Sequence, residues 1–249
     1  MTTLDLFSEK SNLYAQARPQ YPQALFDFLL SCVVHHGSVW DCATGNGQAA
    51  VGLAKLFAHV QATDMSEQQI AHALAADNIT YSVQSAERTN FADQQFDLIT
   101  VAQALHWFDF EKFWPEALRV LKPGGVFSAW AYDWFTISPA VDGVIDKNIM
   151  RIIRPYWAVQ NQMVWKAYAD IDFPFKKIET PKIEMNQYWN LPQLLAYMHT
   201  WSATQRCMQK QGAQFFEDAA GKIEKVWGDP ETVREIKMNF HLYAVRKPT

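Results

Sequence analysis

The chain has 249 residues, 49% of them hydrophobic and 19% charged, with a formal net charge of −4. That balance fits one large globular domain or two small ones and excludes the broad basic footprint of a nucleic-acid binder. No apolar run approaches the roughly 20 residues that cross a bilayer, so neither nucleic acid nor membrane is an expected partner.

Met1 to Lys10 has no basic end followed by an apolar core, and Cys32, Cys42 and Cys207 match no zinc or redox spacing. The expectation is a cytoplasmic protein with reduced thiols and no metal.

In chain order, Pro22 to Val34 places Leu25, Phe28, Leu29, Cys32 and Val33 at helical spacing behind a proline suited to a first turn. Ser38 to Cys42 reads as a short buried strand. Gly47 to Ala58 reads as a helix with Ala50, Val51, Ala54 and Phe57 inward, and Val60 to Thr63 as a second strand. Ser66-Glu67-Gln68-Gln69 is a capping box, predicting a helix that carries Ile70 and Leu74 inward. Ile79 to Val83 and Phe96 to Ala102 are the third and fourth strands, the latter apolar almost throughout, like a central parallel strand. A helix from about Phe110 to Leu121 stops at Lys122-Pro123-Gly124-Gly125, where glycine caps and proline blocks continuation. Val126 to Ala131 is the fifth strand.

This alternation argues for an α/β fold with a parallel, doubly wound sheet. The second half is less regular. Pro139 to Arg154, Leu191 to Gln211 and Ala213 to Trp227 read as helices, Thr180 to Gln187 as a strand, and Arg234 to Arg246 as a last, antiparallel strand. Residues 1–249 are expected to form one domain, with 138–180 inserted after strand five as a helical, aromatic lid.

The chemistry concentrates in Val39-Trp40-Asp41-Cys42-Ala43-Thr44-Gly45-Asn46-Gly47-Gln48. A carboxylate at a strand end, ahead of the glycines, suits a positively charged ligand group and suits a pyrophosphate poorly. Gly45 and Gly47 let the backbone approach a ligand, and the following helix points its first N–H groups there. Asp64 ends the next strand twenty-three residues later. Two acids at adjacent strand tips, with small residues between them, describe a pocket for a nucleoside joined to an amino acid. Such a pocket belongs beyond the carboxyl ends of the strands, where strand order reverses.

These landmarks resemble the class I S-adenosylmethionine-dependent methyltransferases over roughly Lys10 to Asp133. The resemblance implies a Rossmann-like, mostly parallel sheet of seven strands with the last antiparallel. It implies S-adenosyl-L-methionine as cofactor, with Asp41, Gly45 and Gly47 in the first motif. Ala43 replaces the first glycine and, as a residue with a Cβ, is expected at ordinary negative φ. By the same resemblance Asp64 accepts from the ribose hydroxyls, Met65 packs on adenine, and Ala86 and Glu87 meet the adenine amine. Gln103 lies under the amino-acid part.

A narrower likeness is to the group around trans-aconitate methyltransferase, carried by Tyr14-Ala15-Gln16-Ala17-Arg18-Pro19-Gln20-Tyr21-Pro22, Ala104-Leu105-His106-Trp107-Phe108 and Thr200-Trp201-Ser202. It implies that Tyr14 and Arg18 fold over the cofactor and that the acceptor is a small acid. A carboxylate acceptor is ionised at neutral pH and needs no base, whereas a phenol, amine or enolic carbon gains from one.

His106 is the expected base or orienting group. Trp107, Trp130 and Trp134 are expected at the acceptor, with Arg151, Arg154 and Arg206 as further partners for an acid. Methylation of a carboxylic acid oxygen leads over methylation of a carbon in a quinone or lipid precursor, in a monomer or homodimer. The readings from other classes are a nicotinamide-dependent oxidoreductase, disfavoured because Gln48 and Ala49 stand where its third glycine belongs, and a cofactor-binding protein without catalysis.

Overall fold

In the computed structural model, which describes residues 18–249, the first half alternates as the apolar spacing dictates. Helix α1 (Gln23–Cys32) leads to β1 (Ser38–Cys42), α2 (Gln48–Ala54), β2 (His59–Asp64), α3 (Glu67–Ala71), β3 (Ile79–Val83), β4 (Phe96–Ala102), α4 (Phe110–Val120) and β5 (Leu121–Thr136). Next come α5 (Pro139–Ile145), which runs through a π-helical turn at Asp146–Met150 into Arg151–Ile153, then α6 (Asn161–Trp165), β6 (Lys176–Ile178) and β7 (Met185–Trp189). Helices α7 (Leu191–His199), α8 (Ser202–Gln211) and α9 (Gln214–Trp227) precede the last strand, β8 (Arg234–Arg246).

The described residues group into two compact units. One comprises 21–133, 162–184 and 240–249, and the other 18–20, 134–161 and 185–239. Within 138–180, residues 138–161 group with the latter unit and 162–180 with the former.

The first unit carries the sheet, in the order β3-β2-β1-β4-β5-β8-β6. Strands β1 to β5 pair in parallel. The chain winds outward from β1 to β3, returns to the far side of β1 at β4, and so reverses its strand order between β1 and β4. Lys247 N–H donates to Gly125 O and Gly124 N–H to Pro248 O, so β8 runs antiparallel to β5. Strand β6 is antiparallel to β8. This is a Rossmann-like doubly wound sheet with an antiparallel edge.

Alternating side chains feed two cores. Val39, Leu98 and Val126 pack under α1 and α2 with Leu25, Leu29, Ala50 and Leu53. Their neighbours Trp40, Ile99 and Phe127 pack with Phe113, Ala117 and Val120 of α4.

The second unit contains α5, α7, α8, α9 and the antiparallel pairing of β7 with the first half of β8. An aromatic cluster lies in it: Phe135, Trp157 and Tyr197 each place a ring 5.5–6.1 Å from that of Trp201.

Several local expectations are corrected. The sheet has eight strands rather than seven, because Thr180 to Gln187 is not one strand: 179–184 separates β6 from β7. Strand β5 begins at Leu121, not Val126. Phe96 faces Leu121 and Leu98 faces Val126, so Lys122 to Gly125 bulge out opposite Asp97. Gly124 takes φ +72° there, and Lys122 Nζ reaches Asp97 Oδ1 at 2.7 Å. Helix α2 stops at Ala54 rather than Ala58.

Helix α3 has only five residues and buries none; Leu74, expected inward, is 48% exposed. Half of its capping box forms. Ser66 Oγ accepts from Gln69 N–H, but Ser66 N–H is taken by Asp64. The stretch Leu191 to Gln211 breaks at Trp201 without glycine or proline, where the Gln205 amide donates to His199 O at 2.6 Å and satisfies the end of α7.

Candidate active site

The site lies in the first unit, at the carboxyl ends of β1, β2 and β4. Between β1 and α2 the chain makes a turn tied to β2 by Thr44 N–H donating to Thr63 O at 2.9 Å, and closed by Gly47 N–H donating to Thr44 O at 3.0 Å. Ala43, Gly45 and Gly47 take φ of 54°, 58° and 84°. The ordinary negative φ expected of Ala43 is thus overturned. Its left-handed backbone costs about 1–2 kcal/mol and persists because the surrounding bonds fix the turn.

A Cβ on Gly47 would stand 2.1 Å from Tyr81 Oη. One on Gly45 would meet nothing closer than Gln69 Oε1 at 4.0 Å. Gly47 is required by a neighbour, whereas Gly45 leaves a bare backbone beside open space.

Asp41 is 0% exposed. Its Oδ2 accepts from Thr44 Oγ1 at 2.5 Å and its Oδ1 from Thr100 Oγ1 at 2.8 Å. Burial pushes its carboxyl from 3.8 up to about 6, against the pull of those two hydroxyls. Among the described residues no cationic side chain pairs with it. It therefore lies under the turn and gives it a negative field, instead of presenting an oxygen at the strand end as the sequence suggested. Thr44 and Thr100, its two partners, were missed. The available signal was a single threonine inside the apolar run of β4.

Asp64 is half-buried at the tip of β2. Oδ2 accepts from Gly45 N–H at 2.8 Å and Oδ1 from Ser66 N–H at 2.9 Å. Each carboxylate oxygen keeps a further lone pair for a ligand hydroxyl. Met65 beside it is 74% exposed, a flat apolar surface where most of the large side chains of this unit are buried.

Ala86 is buried. Glu87 Oε1 accepts from Asp109 N–H at 3.2 Å, and its other oxygen from Ser85 Oγ. Gln103 stands at the end of β4 with φ 59°. Its amide clamps the end of β5, donating to Tyr132 O at 2.9 Å and accepting from Tyr132 N–H at 3.2 Å. Strain at that strand tip is held in place by this clamp.

His106 lies in a single 3₁₀ turn, Leu105–Trp107. It is buried, with Nδ1 3.2 Å from Tyr168 Oη, and burial lowers its pKa to about 4. It is neutral at pH 7 and a weak base, so it fits orientation better than proton removal. Trp107 is half exposed.

Trp130, expected at the acceptor, is wholly buried in the core with Leu25 and Val126; the edge of Tyr21 packs on its ring at 5.5 Å. Trp134 and Arg18 belong to the other unit, where Trp134 packs on Trp157. Tyr14 lies outside the described residues. Also in that unit, Arg151 pairs with Asp146 at 2.8 Å and Arg206 donates to Tyr156 O.

Residues 40–129 match the family of methyltransferase domains. A Dictyostelium discoideum protein assigned as a methyltransferase is 31% identical, and the alignment covers 97% of this chain and 94% of that one. A solved structure from Anaeromyxobacter dehalogenans, assigned as a type II methyltransferase, superposes with a TM-score of 0.86 at 36% identity, covering 93% of this chain and 99% of that chain. The [4+2]-cyclase SpnF, at 18% identity and a TM-score of 0.51 over 94% of this chain and 85% of its own, shares the fold alone.

Proposed function

The chain belongs to the class I methyltransferases, and from that premise we propose that it uses S-adenosylmethionine to methylate a small molecule. The observation that carries the reading is Asp64 beside the exposed Met65, across from the open left-handed turn at Gly45. The fit is chemical. Asp64 has lone pairs left for two ribose hydroxyls, Met65 offers a face for adenine, and Ala86 and Glu87 stand next along the same edge. Gly45 gives bare backbone where a cofactor passes close.

Asp41 does not touch the ligand in this reading. Its buried charge favours a cation above the turn, as the amino group of a methionine tail is. Gln103 shapes the floor through its strained backbone.

Bound S-adenosylmethionine supplies a methyl group on a positively charged sulfur with a good leaving group. The protein's own task is alignment and exclusion of water, and alignment alone lowers such barriers by about 7–11 kcal/mol in favourable cases. Small carboxylic acids are the first acceptor class, as in the trans-aconitate methyltransferase group, because they need no base and His106 is a poor one. Phenols and enolic carbons, including quinone or lipid precursors, come next.

Three cysteines, none in a disulfide, favour a reducing cytoplasm. Among the described residues no helix is long and apolar enough to cross a membrane. A net charge of −4 disfavours nucleic acid as acceptor.

Transfer of radiolabelled methyl groups to a panel of small acids, phenols and quinols tests the proposal. Labelled product from any class supports it. Silence across the panel, with S-adenosylmethionine still bound, points instead to a binding protein without catalysis. A thermal shift with NAD(P) and none with S-adenosylmethionine would replace the reading altogether.

A further inference from the structure

The loop between β3 and β4, residues 84–95, carries Ala86 and Glu87 and contains no helix or strand. Its start is fixed beside the site. Val83 pairs with Asp64 across β3 and β2, and Gln84 N–H donates to Asp64 O at 3.1 Å. Burial pushes the Cys42 thiol up, and the negative fields of Asp41, Glu87 and Asp64 add to that. All three carboxylates therefore lie within electrostatic reach of one point at the tip of β1.

The rest of the loop is held from α4. Thr89 N–H and Thr89 Oγ1 both donate to Glu116 Oε1, at 2.8 and 2.5 Å. Arg119, three residues on, forks onto the same carboxylate, Nε to Oε2 at 3.0 Å and Nη2 to Oε1 at 2.7 Å. Its Nη1 donates to Phe91 O and to Asp93 Oδ1, each at 2.7 Å. Gln94, at φ 52°, donates its N–H to Arg119 O at 2.9 Å. At the front of the helix its N-cap, Asp109, donates its N–H to Glu87 Oε1 at 3.2 Å. One helix and its cap thus grip the loop at Glu87, Thr89, Phe91, Asp93 and Gln94.

Stability alone does not account for this choice of residues. Glu116 is buried on a helix whose other inward residues are Phe113, Ala117 and Val120. Taking a carboxylate out of water often costs as much as its pairing returns, and a well-packed apolar side chain covers a surface as well or better. What the acid and the arginine add is direction, because their bonds to Thr89, Phe91 and Asp93 admit one arrangement of the loop.

We infer that Glu116 and Arg119 are positioning residues for the base of the cofactor: they hold the loop so that the Glu87 carboxylate faces the adenine amine, and so set which base the site accepts. The inference rests on the methyltransferase reading with Glu87 at adenine. One Glu87 oxygen accepts from Asp109 N–H and the other from Ser85 Oγ, and each can still accept from a ligand. An amine satisfies that carboxylate, whereas an oxo group in the same place meets it oxygen to oxygen. A misplacement of about 1 Å is enough to spoil such a contact.

The test titrates the full chain calorimetrically with S-adenosylhomocysteine and with S-inosylhomocysteine, which has an oxo group where adenine has its amine. Because hydrogen bonds to a charged group are strong, wild type is expected to prefer the adenine compound about tenfold or more. Glu116→Ala removes the anchor of Thr89, and Arg119→Lys keeps the charge but loses the fork. Each is expected to cut the preference at least about threefold. Val120→Ala takes packing from the same helix and no bond from the loop, and is expected to keep the preference. Thermal unfolding identifies the variants that fold.

A preference unchanged in Arg119→Lys, or in a folded Glu116→Ala, overturns the inference. An equal drop in Val120→Ala also overturns it, since general loosening of the helix would then be the cause. If Glu116→Ala does not fold, Arg119→Lys decides. Wild type that binds both compounds alike removes Glu87 from the base and overturns the inference while the methyltransferase reading stands. Wild type that binds neither sinks that reading and this inference with it.

Discussion

Replacing Asp41 with asparagine probes the buried charge under the glycine turn. The folded protein holds the Asp41 proton more tightly than the unfolded chain, with a carboxyl at about 6 against the ordinary 3.8. A difference of about two pH units corresponds to about 3 kcal/mol. Because the folded value is raised, this stability is fully present below about pH 4 and is lost as the pH climbs through about 6. Asp41 has no exposed surface, so solvent does not discount the figure.

Asparagine has no proton to lose. Its carbonyl can accept from one threonine hydroxyl and its amide donate to the other, since hydroxyls rotate. Urea unfolding of both proteins at pH 4, 5, 6 and 7 reads the effect as a difference. Asp41→Asn is expected to gain about 3 kcal/mol relative to wild type between the two ends of the series. Parallel stability curves would refute the reasoning, since they would mean that Asp41 titrates alike in both states.

The remaining expectations follow from the same geometry. His106 titrates in the opposite sense. Burial lowers its pKa to about 4, so its stabilisation is present above about 6.5 and is lost as the pH falls to about 4. In wild type it offsets Asp41 over the same window, so His106→Gln is expected to gain about 3 kcal/mol relative to wild type as the pH falls from about 6.5 to about 4, leaving the Asp41 slope uncompensated in urea titrations. Ala43→Gly relieves a left-handed alanine and is expected to stabilise the protein by up to about 1 kcal/mol after the entropy cost of glycine, read as a raised midpoint in the same titrations. Gly47→Ala drives a methyl group into Tyr81 Oη and is expected to cost about 2 kcal/mol or more. Tyr81→Phe in that background should recover only part of it, since the ring carbon Cζ would still be 2.9 Å away.

The parallel half was legible because its signals are local. The apolar runs of β1 and β4, the acids at the tips of β1 and β2 and the stop after α4 each sit within a few residues of what they control. Strand β8 was equally clear, because Ile236, Met238 and Leu242 alternate inward along its whole length. What escaped depended on distant partners. Ala43 is left-handed because bonds between the turn and β2 override the usual preference of a residue with a Cβ. Leu74 is exposed because Tyr81 holds the Leu74 carbonyl and Asp64 takes the capping N–H, ending α3 early. Trp130 resembles a pocket residue in sequence, but its position on a central strand commits it to the core.

The central claim is that Asp64 grips the sugar of a methyl-donor nucleoside. Isothermal titration of wild type and Asp64→Ala with S-adenosylhomocysteine tests it most directly, with thermal unfolding to confirm that the variant still folds without its bonds to Gly45 and Ser66. Hydrogen bonds to a charged group contribute about 1.5–3 kcal/mol each. Wild type is therefore expected to bind in the micromolar range and the variant at least about a hundredfold more weakly. A folded Asp64→Ala protein that binds as tightly as wild type would contradict the account.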